Sequence, residues 1–400
     1  MAPSATEAVV PVVDNTKQGI PQSEEETPTK RVPKGGNSYA VGSTEIEEEL
    51  PKLETGHKEP LKLSGALDQF EKFDVTPVIG TEFVDVDLAE WIRAPNSDEL
   101  LRDLAITISR RGVAFFRKQD GVTHELQKEL VQRLGELTGK PATSRLHIHP
   151  VSNAAREEGV GDDEISVISS VQAKKIYAGT RLDPQRVQSR RREWHSDITF
   201  EPVPSDYALL RLTQLPKTGG DTLWASGYEV YDRISKPVQA FLSTLTGYYA
   251  QPDFQAAASA HNFRLYAGER GSPDNVGAAL EAVHPVVRTN PVTGWRSVFA
   301  IGHHVKSVHG LAAAESDALL AWLLGLVVEN HDLQVRHRWQ NVNDLAIWDN
   351  RSVYHAATPD YIQDNLGERT GSRSVGLGER PYFDPLSVSR REGLAAEAKA

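Results

Sequence analysis

Cysteine is absent from all 400 residues. Its absence excludes a disulfide framework, thiolate catalysis, iron–sulfur clusters and cysteine-bound zinc, so any metal must be held by His, Asp or Glu. Positive charge is also in short supply. Forty-four Lys and Arg against 55 Asp and Glu leave a formal net charge of −11. That balance offers no global basic field for a phosphate backbone and removes nucleic acid as a default partner. No apolar run approaches the roughly 20 residues that cross a bilayer, so no membrane span is expected. The amino end lacks a basic stretch followed by an apolar core, and Glu397-Ala398-Lys399-Ala400 matches no retention or peroxisomal signal. Cytoplasm is therefore the default expectation.

What is present reads as an ordinary globular chain with an atypical start. Hydrophobic residues at 39% and charged residues at 25% suffice for a core. Residues 1–60 are rich in Pro, Glu, Thr, Ser and Lys, as in Ser23-Glu24-Glu25-Glu26-Thr27-Pro28, and carry no apolar period, so a disordered tail is expected there. Residues 61–400 are expected to form a single domain with its core over about 70–385. Within it, Thr76 to Val86 suggests a hairpin-like entry. Ser97 reads as the cap of a helix with Leu100, Leu101, Leu104 and Ile108 at helical spacing, and Val113–Phe116 as a buried strand. Thr123 caps a second helix, and Val238, Phe241, Leu242 and Leu245 form the apolar face of a later one that Gly247 can end. Residues 151–192 read as a loop, 251–275 as an irregular lid carrying Phe254, and 334–350 as a hairpin. The mixture predicts a mainly β barrel or sandwich with bracing helices.

Chemistry converges on Trp194-His195-Ser196-Asp197. An imidazole and a carboxylate two residues apart on an extended chain project from the same face and can grip one ion, and His355, 158 residues beyond Asp197, supplies a third ligand. Other histidines fit a metal less well. His147 and His149 have no carboxylate beside them, and His303 and His304, being adjacent, point to opposite faces of a strand. Arg190-Arg191-Arg192 is either a contact for an anion or a solvated edge. Gly219-Gly220 is a tight connection that places Thr222 and Trp224 on one face. Arg369 and Arg373, closely following His355, suit a carboxylate-bearing cosubstrate. A zinc hydrolase would leave these arginines and the Thr222 segment without a shared purpose, and a binding barrel without catalysis would leave the triad without one.

Trp194-His195-Ser196-Asp197-Ile198-Thr199-Phe200, Gly219-Gly220-Asp221-Thr222-Leu223-Trp224 and Trp348-Asp349-Asn350-Arg351 through His355 together resemble the taurine dioxygenase (TauD/TfdA) family of Fe(II)- and 2-oxoglutarate-dependent oxygenases. The resemblance implies a double-stranded β-helix, or jelly-roll, core. It makes His195, Asp197 and His355 the iron ligands, gives Thr222 and Arg369 the far carboxylate of 2-oxoglutarate, and sets His149, Ile198 and Arg373 at the substrate. Its implied partners are dioxygen and a small organic molecule, and a homo-oligomer is compatible with it. Asp197 favours hydroxylation, because relatives that halogenate lack this carboxylate. Ser152, and Arg190 with Arg191, stand where taurine enzymes carry a tyrosine and amine-binding residues, so sulfonates without a free amine are expected ahead of taurine.

Overall fold

The computed structural model describes residues 57–151, 162–171 and 189–399, all within the second of two units, Leu53–Ala400. The expected tail up to residue 56, together with Ser152, lies outside the described residues.

The largest sheet has seven strands in the spatial order β1 (Lys72–Asp74), β2 (Thr81–Phe83), β3 (Val113–Phe116), β13 (Leu345–Asp349), β5 (Ser205–Gln214), β15 (Thr370–Leu377) and β4 (Ser166–Ser169). A second sheet runs β12 (Gln334–His337), β6 (Thr222–Ser226), β14 (Val353–Ala357). A third runs β11 (Val305–Val308), β7 (Thr246–Ala250), β8 (Glu281–Pro285), and β9 (Val287–Thr289) pairs with β10 (Arg296–Val298). The expected strand-rich architecture with bracing helices is present.

Side-chain alternation explains how the layers stack. Ala114 and Phe116, Tyr207 and Leu209, and Leu345 and Ile347 pack on one face of the large sheet, against Leu101, Leu104, Leu130 and Leu134 of helices Ser97–Arg111 and His124–Leu137. Their neighbours Val113 and Phe115, Ala208 and Leu210, and Ala346 and Trp348 face the other way and meet Trp224, Val335 and Val353 of the second sheet. Successive strand residues point to opposite faces, and both faces here are buried, so these strands read as unbroken apolar runs.

Several local expectations are corrected. Asn96, not Ser97, occupies the cap position, and Ser97 Oγ instead donates to Ile92 O at 2.8 Å. The hairpin over 334–350 does not form, because β12 pairs with β6 while β13 lies between β3 and β5. The cause is the buried carboxylate of Asp344. It accepts from the backbone of Gln340, Asn341 and Lys118 and from Arg117, turning the chain from one sheet to the other. Residues 151–192 contain a strand, since Ser166–Ser169 pairs with β15 at the sheet edge. Phe241 is 45% exposed, and Gly247 lies inside β7 rather than ending the helix, which stops at Leu242. The lid region contains a helix, Pro252–Ala260, with Phe254 turned inward.

Candidate iron and cosubstrate site

His195 and His355 face each other in an isolated antiparallel bridge. The His195 N–H donates to His355 O at 3.1 Å and the His355 N–H to His195 O at 2.8 Å, which sets the two rings 4.3 Å apart between centroids. The approach demands a glycine nearby. Gly302 has φ +111°, and a Cβ there would sit 2.9 Å from His195 Cα.

Asp197 reaches the same point by a different route from the extended strand edge that its spacing suggests. The chain turns at residues 197–200, and Ile198 takes φ 47°, a left-handed conformation costly for a β-branched residue. Asn350, at the turn between β13 and β14, holds this shape. Its Oδ1 accepts from the Asp197 N–H at 3.1 Å and from Trp348 Nε1 at 3.0 Å, and its carbonyl accepts from Ser196 Oγ at 2.6 Å.

One ligand atom from each of His195, Asp197 and His355 lies within 4.8 Å of the others. The protonation states suit a cation. His195 Nδ1 donates to Glu193 O, 2.7 Å away, because a carbonyl only accepts, so Nε2 is the ring nitrogen left for a metal. Burial, with the neighbouring His195, pushes the His355 pKa down to about 3, so its imidazole is neutral. Burial would raise the Asp197 pKa, but Arg373, His355 and His195 hold it at about 2, so the carboxylate is ionised. Asp197 Oδ1 accepts from Arg373 Nη1 at 2.6 Å, while Oδ2, 3.8 Å from His355 Nε2, is buried without a hydrogen bond among the described residues. A buried carboxylate oxygen beside two imidazoles is a donor set that fits a first-row divalent metal such as Fe(II).

Thr222 and Arg369 also come together. Arg369 is buried, with Nη2 donating to Thr222 Oγ1 at 3.2 Å and Nε to Gly220 O at 2.8 Å. Burial pulls its pKa below the ordinary arginine value. Thr222 lies two residues from Trp224, the register partner of His355, so this cradle and the triad share one face of the second sheet.

Of the residues expected at the substrate, Arg373 contacts the Asp197 carboxylate, and its Nε is buried without a hydrogen-bond partner among the described residues. His149 is half-buried, 5.2 Å from the Phe254 ring between centroids. Its Nδ1 accepts from the Val151 N–H at 3.1 Å. Burial and the Arg373 charge push its pKa well down. His147 is not beside the triad but 3.5 Å from Glu201, which is itself fully buried with Arg270. His303 and His304 are not in the metal cluster, although the His303 ring lies 4.9 Å from that of His195. Arg191 donates to Ala321 O at 3.0 Å and Arg190 approaches Glu193 at 4.0 Å, so neither side chain is left as simple solvated charge.

Sequence reading missed two contributors. Asn350 was visible only as part of a motif, and Trp339, which donates to Thr222 Oγ1 at 3.1 Å, had no signal beyond its aromatic character.

Fold, triad and cradle together define a metal-dependent oxygenase, and the chain belongs to the taurine catabolism dioxygenase TauD, TfdA family, whose model matches residues 71–374. The α-ketoglutarate-dependent dioxygenase btcD of Neocamarosporium betae is 56% identical over 84% of this chain and 98% of its own length. An α-ketoglutarate-dependent sulfonate dioxygenase of Saccharomyces cerevisiae is 29% identical over 78% of this chain and 67% of its own. A taurine dioxygenase crystal structure from Burkholderia xenovorans superposes with a TM-score of 0.57 at 25% identity, covering 78% of this chain and 91% of that one. Among the described residues, no helix is long and apolar enough to cross a membrane.

Proposed function

We propose that this Fe(II)- and 2-oxoglutarate-dependent dioxygenase hydroxylates a small anionic organic substrate, first of all an alkanesulfonate. Hydroxylation of the carbon bearing the sulfonate yields an adduct that collapses to an aldehyde and sulfite. We assign His195, Asp197 and His355 to Fe(II) and Thr222 and Arg369 to the far carboxylate of 2-oxoglutarate, with His149, Ile198 and Arg373 at the substrate. Fe(II) held there supplies dioxygen activation coupled to oxidation of 2-oxoglutarate to succinate and CO2. The protein's own part is orientation and exclusion of water. A cradle and a triad on one face of the same sheet suit a five-carbon diacid that meets the metal at one end and Arg369 at the other. We assign the core over about 70–385, with the large and second sheets packed face to face, to a double-stranded β-helix.

The observation that carries the substrate class is the Arg373 Nε–H, buried beside Asp197 with no hydrogen-bond partner among the described residues. A buried guanidinium N–H favours an anionic head group. The sulfonate named for the yeast relative supports this choice, whereas the Neocamarosporium relative is named by cosubstrate alone. The test is a panel of sulfonates, alkyl sulfates, aryloxyacetates and purines, scored for succinate formation coupled to a substrate-derived product. Sulfite release from an alkanesulfonate is the expected result; coupled turnover confined to a neutral or purine substrate would sink the anionic reading while leaving the oxygenase intact.

Two further outcomes follow from the same assignments. Arg369→Ala should raise the apparent KM for 2-oxoglutarate about 30-fold, the effect of losing a charge-assisted hydrogen bond, and an unchanged KM would move the contact elsewhere. The segment upstream of residue 57 is proposed to be dispensable for chemistry on its composition. A chain beginning at His57, which keeps the 2.7 Å His57–Asp384 contact, should retain wild-type turnover; loss of activity in a folded truncation would place part of the site or an interface in that segment.

A further inference from the structure

We infer that Trp339 is a positioning residue for the cosubstrate: its indole N–H fixes the direction in which the Thr222 hydroxyl donates. The inference rests on the assignment of Thr222 and Arg369 to the carboxylate of 2-oxoglutarate, and it explains how that pair is aimed.

A count of donors and acceptors leads to it. Thr222 Oγ1 is contacted by Trp339 Nε1 at 3.1 Å and by Arg369 Nη2 at 3.2 Å. An indole nitrogen and a guanidinium can only donate, so Thr222 accepts in both bonds and both lone pairs of its oxygen are used. The hydroxyl proton must then point away from both groups, and it has no acceptor among the described residues. Arg369 is arranged in the same manner. Its Nε is occupied by Gly220 O and its Nη2 by Thr222, whereas Nη1 has no hydrogen-bond partner among the described residues. One O–H and the Nη1 donors are thereby left for a single acceptor-only group, and a carboxylate matches that demand.

Trp339 is in a position to hold this arrangement rigid. It is 6% exposed, and its ring lies 6.0 Å from the Arg369 guanidinium carbon. It is packed edge-on against His337 at the end of β12, 4.9 Å between centroids. Without the indole N–H, one lone pair of Thr222 is released and the hydroxyl can rotate to spend its proton elsewhere, so part of the aiming is lost while the hydroxyl itself survives.

The test is a double-mutant cycle on Trp339→Phe and Thr222→Val, read as the equilibrium Kd for 2-oxoglutarate on Fe(II)-loaded protein by calorimetry without oxygen, alongside kcat and KM in turnover. Trp339→Phe keeps an aromatic ring near Arg369 and removes the donor, and the cycle separates the hydrogen bond from the lost packing. Its Kd and KM should rise about five-fold with kcat within about two-fold, the scale of one buried hydrogen bond. In the Thr222→Val background the same change should add nothing further. An equal rise in both backgrounds would overturn the inference, because Trp339 would then act by packing alone. An unchanged Kd in Thr222→Val itself would overturn the underlying assignment of Thr222, a distinguishable failure. If Trp339→Phe does not fold, a crystal structure of the wild-type protein with Fe(II) and 2-oxoglutarate decides the matter. Trp339 Nε1 within hydrogen-bond distance of Thr222 Oγ1, with that oxygen also on the carboxylate, supports the inference; Nε1 on the carboxylate itself, or beyond about 3.5 Å from Oγ1, overturns it.

Discussion

Asp197→Ala should leave a folded protein that retains little iron and turns over more than about 100-fold more slowly. Losing a group that merely orients a ligand costs roughly 10- to 100-fold in metal affinity or activity, so losing a ligand should exceed the upper end of that range. The local geometry points the same way. Asp197 supplies the carboxylate of the cluster, and its buried Oδ2 makes no hydrogen bond among the described residues. Removal also strands Arg373, whose Nη1 is 2.6 Å from Asp197 Oδ1. Metal analysis of the purified variant, with Fe(II)-dependent succinate formation, measures both effects. Full iron content together with wild-type turnover would falsify the ligand assignment whatever the fold.

Asp349→Ala should have its main effect on stability, lowering it by about 3–5 kcal/mol, the usual result of leaving a buried charge without its partner. Asp349 is fully buried and accepts from Arg351 Nε at 2.8 Å, Arg351 Nη2 at 2.9 Å, Ser109 Oγ at 2.7 Å and Asn290 Nδ2 at 2.9 Å. Without it, the buried Arg351 guanidinium keeps the Tyr207 ring at 4.7 Å and Glu379 at 3.7 Å, neither of which replaces a bidentate carboxylate. Activity should fall as well, because the neighbouring Asn350 holds the backbone of Asp197. Chemical denaturation with Asp349→Asn as the milder comparison provides the measurement; equal stability of wild type and the alanine variant would refute the argument. The pH dependence has a definite sign. Burial would raise the Asp349 pKa, but Arg351 and the hydrogen bonds lower it below the ordinary aspartate value. Its contribution is therefore complete above the unfolded pKa of about 3.9 and disappears as the pH falls through the lower folded value.

Spacing and residue type pointed to His195, Asp197 and His355 as a candidate ligand set, whereas the roles expected of Thr222 and Arg369 came from the resemblance to the TauD/TfdA family. Strands such as Val113–Phe116 and Leu345–Asp349 were legible for a physical reason: with both faces buried they are apolar throughout. The tertiary structure alone decided how these pieces meet. No local period shows that β12 and β13, close in sequence, belong to different sheets, because a buried carboxylate at Asp344 redirects the chain between them. Nor does His-x-Asp spacing show that the two ligands converge through a bridge to His355 followed by a left-handed turn at Ile198. Asn350 and Trp339 act by donating or accepting single hydrogen bonds across 153 and 117 residues of chain. Such bonds leave no periodic trace in sequence, since they depend on which distant groups the packed sheets bring within about 3 Å of one another.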